Sequence, residues 1–162
     1  MPDAIALLLG LLDEAFERKA WHGPNLRGSL RGLSAAEAAR RPAPGRHCIW
    51  EIAVHCAYWK YAVRRRLTGE KRGSFALEGS NWFRRPGAGV RGGDLERAWR
   101  DDVALLVSEH RKLREAVSAL SPADLDLRSK GSRQTNLTLV RGVANHDLYH
   151  AGQIQLLKRL VR

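Results

Sequence analysis

A long helical pattern near the C-terminus, from about Leu137 to Leu160, restricts the fold of this chain more than any other stretch. Its apolar residues recur every three or four positions, which predicts an amphipathic helix with one face packed inward. The inward stripe consists of Leu139, Val143, His146, His150, Gln153 and Leu157. His146 and His150 are four residues apart, so both imidazoles can point at one atom, which is a spacing typical of metal ligands.

A second helical pattern, from about Cys48 to Leu67, supplies a further imidazole. His55 lies there on the face that Ile52 and Trp59 share, so it also interrupts an apolar stripe. A single inward histidine is more often a core residue whose nitrogens are satisfied by hydrogen bonds, and that interpretation stays open for each one alone. Three inward histidines from two helices predict a metal site with an open coordination position, as in catalytic zinc centres.

Four long amphipathic patterns, with no strand alternation and no internal repeat, predict an all-α four-helix bundle. Besides the two patterns above, helices are predicted from Ala4 to Ala20 and from Asp94 to about Leu120. Ser34 and Glu37 have the spacing of a capping box, which predicts a short helix between the first two long ones. A chain of 162 residues is long enough for one core, so residues 1–162 are assigned to a single domain.

A long connection separates the second and third long helices. It runs over residues 69–93 and contains seven glycines, with Phe75, Trp82 and Phe83 as the predicted anchors to the bundle. A segment of this length can cross one end of a bundle, or it can cover a site as a lid. Residues 79–82 are the part of the connection best suited to that second role.

The net charge of +11 leaves two interpretations open. Six of the thirteen residues from Lys60 to Arg72 are basic, which fits an anion-binding patch for nucleic acid or another polyanion. Basic residues also collect in the last turns of helices, where they complement the helix dipole on a solvated surface. The second interpretation is favoured, so a nucleic-acid partner is considered but not preferred.

The N-terminus and the cysteines indicate where the protein works. The apolar run Ala4–Leu12 has no basic lead and is followed by Asp13 and Glu14, so it predicts an amphipathic helix rather than a signal peptide or membrane span. Cys48 and Cys56 do not have the CxxC spacing and are predicted to be reduced thiols. We therefore expect a soluble cytoplasmic protein with no membrane partner.

Two segments of this chain resemble the DinB/YfiT superfamily. The residues that carry the resemblance are Ile49–Glu51, Val54–Trp59 and His146–Ile154, and the similarity extends over nearly the whole chain. It implies a four-helix bundle of up-down-down-up topology that forms a homodimer. It also implies that His55, His146 and His150 bind zinc, nickel or another divalent ion. Members of the superfamily include thiol-dependent transferases, isomerases and proteins described as metal-dependent hydrolases.

The resemblance leaves three functions open: two classes of enzyme, and a binding protein without catalytic activity. A divalent ion on three neutral imidazoles lowers the pKa of a bound water or thiol, so the protein is expected to be a metal-dependent hydrolase or a thiol-dependent transferase with a small-molecule substrate. The transferase would also need a low-molecular-weight thiol such as bacillithiol, mycothiol or glutathione. The alternative is a dimeric bundle that binds a polyanion through its basic surface. The motif is not HExxH, which argues against a zinc peptidase.

The sequence does not identify a catalytic residue, but it offers two candidates, each with a structural alternative. Glu51 lies one turn before His55 and is a candidate base or support for that ring, or else a carboxylate that complements the helix dipole. Gln153 is a candidate for a bond to a ligand or substrate, or else it packs within the helix interface. Asp147 points away from His146 and is expected to orient a neighbour or form an ion pair.

Four residues are candidates for lining a pocket around the histidines. Trp59 lies one turn after His55, and Trp82 lies in the long connection. His22 and Asn25 occur in the turn after the first long helix, which is expected at the same end of the bundle as the start of the second. A histidine in a turn is ordinarily a surface residue, so that alternative stays open for His22.

Overall fold

Six α-helices make up most of the computed structural model, which describes residues 3–129 and 132–161. Within these ranges the chain contains no β-strand, so the predicted all-α class is confirmed. The helices are α1 (Ala4–Phe16), α2 (Leu26–Leu30), α3 (Ala35–Ala39), α4 (Ile49–Thr68), α5 (Gly93–Ser118) and α6 (Asn136–Leu160), with a 3-10 turn at Pro122–Asp126.

The four long helices pack into a bundle. Helix α4 lies against α5 and α6, and α1 lies against the same two helices from the other side. Buried apolar residues between them form two clusters, one around Trp50 and Leu106 and the other around Leu12 and Val140. The four-helix bundle is thus confirmed, while the up-down-down-up order stays a prediction. No described helix is both long and apolar enough to cross a membrane.

The first long helix ends about one turn earlier than the sequence pattern predicts. It stops at Phe16 rather than Ala20, because the amides of Glu17 and Arg18 both donate to the carbonyl of Asp13 and close the last turn. A helix that the sequence analysis missed, α2, follows at Leu26, and the Asn25 side chain caps it by accepting from the amide of Gly28 (2.8 Å).

The short helix α3 begins with the predicted capping box. The Ser34 hydroxyl accepts from the Glu37 amide, and the Glu37 carboxylate accepts from the Ser34 amide (2.8 Å). Cys48 then stands at the N-cap of α4, and both Cys48 and Cys56 are buried free thiols, as predicted. This arrangement of caps fixes where α4, with His55 in its second turn, enters the bundle.

The inward face of α6 is centred on Asp147 rather than on the predicted stripe. Val140, Ala151 and Ile154 are buried with it, whereas Leu139, His146, Gln153 and Leu157 are only half-buried. The reason is that Asp147 pairs with Lys60 of α4, and both side chains are completely buried. The side of α6 that carries His146 and Gln153 therefore lies at the edge of the core and is partly open to solvent.

Candidate metal centre

Three imidazoles from α4 and α6 converge on one point. The Nε2 atom of His146 lies 3.1 Å from Nε2 of His55 and 3.1 Å from Nε2 of His150. His55 is 5% exposed and His150 is 4% exposed, whereas His146 is half-buried. The structure thus brings together the three residues that the sequence predicts as ligands, with their ligand atoms close enough to share one cation.

The outer nitrogens of two rings fix the direction of their lone pairs. His55 Nδ1 lies 2.7 Å from the main-chain carbonyl oxygen of Asn81, and His150 Nδ1 lies 2.7 Å from Oε1 of Gln153. Since both partners are acceptors, each Nδ1 carries the proton and each Nε2 presents a lone pair to the centre. Neutral imidazoles held in this way are what a divalent ion requires, so the donor set fits a metal.

The electrostatics of the centre favour neutral rings. Burial, together with the charges of neighbouring histidines, lowers the pKa of His55 to about 4 and that of His146 to about 3. Burial also lowers the pKa of His150, although the hydrogen bond to Gln153 opposes the shift. At neutral pH all three rings are therefore unprotonated, so protons do not compete with a cation for them.

Two tryptophans and the long connection hold His55 in place. The indole of Trp82 stacks on His55, with ring centroids 3.8 Å apart and nearly parallel planes. On its other face Trp82 stacks equally closely on His47 (3.7 Å). The Trp59 indole N–H donates to the side chain of Asn81 (2.9 Å), the same residue whose carbonyl accepts from His55. Asn81 therefore supports both the ligand and the pocket wall.

Asn81 has a left-handed backbone conformation, with φ of 66°. Asparagine tolerates this region better than most residues, which suits it to a tight turn that aims a carbonyl inward. The sequence analysis singled out residues 79–82 as a candidate lid but did not predict this contact. An asparagine after Gly79-Ser80 was the signal available for a turn, but nothing in the sequence showed that its carbonyl would face His55.

A cavity of about 630 Å³ opens over the three histidines. Trp59 and Trp82 line it, together with His47, Tyr149 and Gln153. The structure does not bring His22 or Asn25 to this cavity. His22 is exposed in the turn after α1, and Asn25 is engaged in capping α2 and in a bond to the carbonyl of Arg18.

Glu51 is buried behind His47 rather than beside the ligands. Its carboxylate accepts hydrogen bonds from the Arg41 guanidinium, from His47 Nδ1 (2.9 Å) and from the Arg85 amide (3.2 Å). Burial alone would raise the pKa of Glu51, but these bonds outweigh it and hold the pKa at about 2. The residue that the sequence offers as a base is therefore a permanent anion whose nearest link to the cavity is His47.

A buried ion pair lies on the core side of the centre. Lys60 donates to Asp147 and also to Nδ1 of His110 (3.3 Å). Burial raises the pKa of Asp147 to about 6, although Lys60 opposes the shift. This agrees with the prediction that Asp147 forms an ion pair, but the pair is inside the bundle rather than on a helix surface.

A second group of potential ligand atoms belongs to Cys56, His146 and Asp147. It is less suited to a cation, because Lys60 already occupies one carboxylate oxygen of Asp147. Burial also raises the pKa of the Cys56 thiol well above its ordinary value, which keeps that thiol protonated. The three histidines are therefore the better candidate for the metal site.

The comparison with protein families finds a match over residues 6–154, to the DinB superfamily. The matched region includes the whole of α4, the connection between α4 and α5, and α6 as far as Ile154, and so contains all three histidines. Neither the curated proteins nor the solved structures contain a match to this chain.

Proposed function

The chain belongs to the DinB superfamily, and we propose that it is a metal-dependent enzyme that activates a water or a low-molecular-weight thiol at His55, His146 and His150. The observation that supports this most directly is the convergence of three Nε2 atoms, two of which are held as lone-pair donors by Asn81 and Gln153. Zinc or nickel suits a site of three imidazoles. A divalent ion bound there would supply Lewis acidity and lower the pKa of the nucleophile.

We assign to His47 the removal of the proton from the water or thiol that acts as nucleophile. Its Nδ1 faces the Glu51 carboxylate, so Nδ1 carries the proton and Nε2 is free to accept another. His47 also lines the cavity, where Trp82 separates its ring from that of His55. Glu51 then acts through His47, since its carboxylate accepts from Nδ1 and so fixes the tautomer and the orientation of the ring.

The cavity is compatible with both nucleophiles. Its volume of about 630 Å³ is in the range of small-molecule sites, which leaves room for a substrate with or without a thiol cofactor. Among the described residues that line it there is no carboxylate, so hydrolysis would depend on His47 as its base. Arg46 at the same cavity is a suitable partner for a carboxylate of a thiol cofactor.

The proposal is tested by metal analysis combined with a substrate panel. Untagged protein should contain close to one divalent ion per chain, and His146→Ala should lose it, whereas His22→Ala should keep it because His22 is exposed and outside the cavity. Ester and amide hydrolysis and transfer of glutathione, bacillithiol or mycothiol are then assayed with and without chelator. A His146→Ala variant with unchanged metal content would refute the assignment.

His47→Gln provides a separate test of the proton acceptor. It should bind the metal as well as the wild type does but lose about 10²–10⁴ in turnover, which is the usual contribution of a general base. The pH profile of kcat should change together with the rate. An unchanged pH profile would exclude His47 from the reaction.

A further inference from the structure

Three neighbouring cavities lie along one face of α4. The cavity over the histidines shares Trp59 and His146 with a small cavity of about 160 Å³, and that small cavity shares Trp59 and Arg66 with a third one of about 450 Å³. His55 and Arg66 are eleven residues apart, so they point in nearly the same direction and are separated by roughly 16 Å along the helix. Together the three cavities form a groove with histidines at one end and arginines at the other.

The middle of the groove lies between α4 and α6 and is largely apolar. Val63 comes from α4, and Leu139 and Val143 come from α6. Gly142 also lines this part, and a Cβ at that position would meet no atom within 4 Å. The absence of a side chain there keeps the space between the two helices open.

The far end of the groove carries an excess of positive charge. Arg65, Arg66 and Arg72 line the third cavity, and Glu78 is the acidic residue that lines it with them. Among the described residues, neither Arg66 nor Arg72 forms an ion pair or hydrogen bond with another side chain, whereas the neighbouring Arg64 pairs with Glu70 and Glu109.

Arg66 is half-buried, so its charge is partly removed from water without a protein anion to compensate. Burial lowers the pKa of Arg66, and the charges of Arg65 and Arg72 lower it further. A half-buried guanidinium in this position is costly unless an anion binds to it. An anionic group of a ligand would supply the missing partner through charge-assisted hydrogen bonds.

We propose that this groove binds an elongated substrate that has its reacting group at the three histidines, an apolar segment against Val63 and Val143, and a carboxylate or phosphate at Arg66. The placement of the reacting group rests on the proposed function, whereas the apolar and anionic subsites rest on the groove alone. The substrate class is therefore an amphiphilic anion rather than a compact polar molecule.

Calorimetric titration with three probes of equal chain length tests the proposal: octanoate, octyl phosphate and octyltrimethylammonium. Both metal-free and zinc-loaded protein are used, so that the groove is tested separately from the metal. At least one of the two anions should bind, and the cation should not. The anion that binds more tightly identifies the head group as a carboxylate or a phosphate.

Two pairs of variants locate the binding. Arg66→Gln should weaken the binding of the anionic probe by about tenfold, as expected for loss of a hydrogen bond to a charged group. Arg111→Gln removes the same charge from an exposed position on α5 and should leave binding unchanged. Gly142→Met should fill the groove and weaken binding by a similar factor, whereas Gly152→Met, at an equally open position of the same helix, should not.

Two results would overturn this inference, whatever the zinc measurements give. The first is that neither anion binds, and the second is that the wild type and Arg66→Gln bind the anion with equal affinity. Unchanged zinc content in His146→Ala would instead refute the proposed function and leave the groove result standing. Thermal melting of each variant shows whether it is folded, and the Gly142 and Arg66 variants test the same groove from two helices, so one unstable variant does not decide the result.

Discussion

Replacement of Lys60 by methionine tests how the core next to the metal centre tolerates charge. Lys60 and Asp147 are both 0% exposed, and Lys60 is the ion-pair partner of Asp147. Lys60→Met keeps most of the apolar volume but leaves the Asp147 carboxylate buried without its cation. Among the described residues, the second oxygen of Asp147 has no hydrogen-bond partner that could compensate.

Two estimates limit the loss in the free energy of unfolding that is expected for Lys60→Met. Breaking a buried ion pair by removing one partner typically costs about 3–5 kcal/mol. Asp147 can escape that penalty by taking up a proton, and because its pKa in the folded wild type is already about 6, this costs about 1.4 kcal/mol at pH 7, at about 1.4 kcal/mol per pH unit. Protonation is the less unfavourable of the two routes, so the free energy of unfolding should fall by about 1.4 kcal/mol at neutral pH.

The loss should depend on pH in a defined direction. In Lys60→Met the folded state raises the pKa of Asp147 above its unfolded value, so the folded state binds more protons. Asp147 of the folded wild type ionises at about pH 6, so the destabilisation relative to the wild type grows as the pH rises above about 6, by about 1.4 kcal/mol per unit, until the carboxyl ionises in the folded variant as well. At about pH 5 both folded proteins hold the proton, so the loss should no longer vary with pH.

Urea unfolding at several pH values measures these effects. The double variant Lys60→Met/Asp147→Leu should recover most of the loss, because an apolar pair of similar volume is about as stable as a buried ion pair. Arg97→Met, which breaks an exposed pair with Asp94, should change stability by less than about 1 kcal/mol. A loss below 1 kcal/mol for Lys60→Met that does not vary with pH would refute the reasoning.

Three further outcomes are expected. Gln153→Leu should weaken zinc binding by about 10–100-fold in a competitive chelator titration, because His150 loses the acceptor that fixes its tautomer, whereas Gln155→Leu should not. His55 has a pKa of about 4 in the folded state and 6.5 in the unfolded state, so the unfolded state binds more protons between these values. The free energy of unfolding of the metal-free protein, measured with urea, should therefore fall as the pH falls from about 6.5 to about 4. His55→Phe should lose less stability over the same range. Light scattering should give twice the mass of one chain if the predicted homodimer forms, and a monomer at all concentrations would contradict it.

The sequence predicted the three histidines that converge better than the residues that support them. His55, His146 and His150 could be selected because each interrupts an apolar stripe, and the period of a helix fixes where such residues point. Gln153 lies one turn from His150, so its contact was also within reach of the helical pattern, although packing was an equal alternative. The long helices were predicted for the same reason.

Contacts between distant segments could not be predicted in this way. Glu51 looked like a candidate base because its helical position lies near His55, but Arg41 and Arg85, from loops on either side, hold its carboxylate elsewhere. Asp147 has its partner 87 positions away, so the pattern of α6 alone could not reveal that it is buried. Asn81 acts through a main-chain carbonyl, a group that every residue has.

The segment that carries Asn81 has two roles that can be separated. It holds His55 through its backbone, while Arg72, Phe75, Leu77 and Glu78 form a wall of the arginine-lined cavity. Substitutions in that wall can alter which molecules bind without disturbing the carbonyl that serves His55. The loop can therefore vary in sequence while α4 and α6 keep the three histidines together.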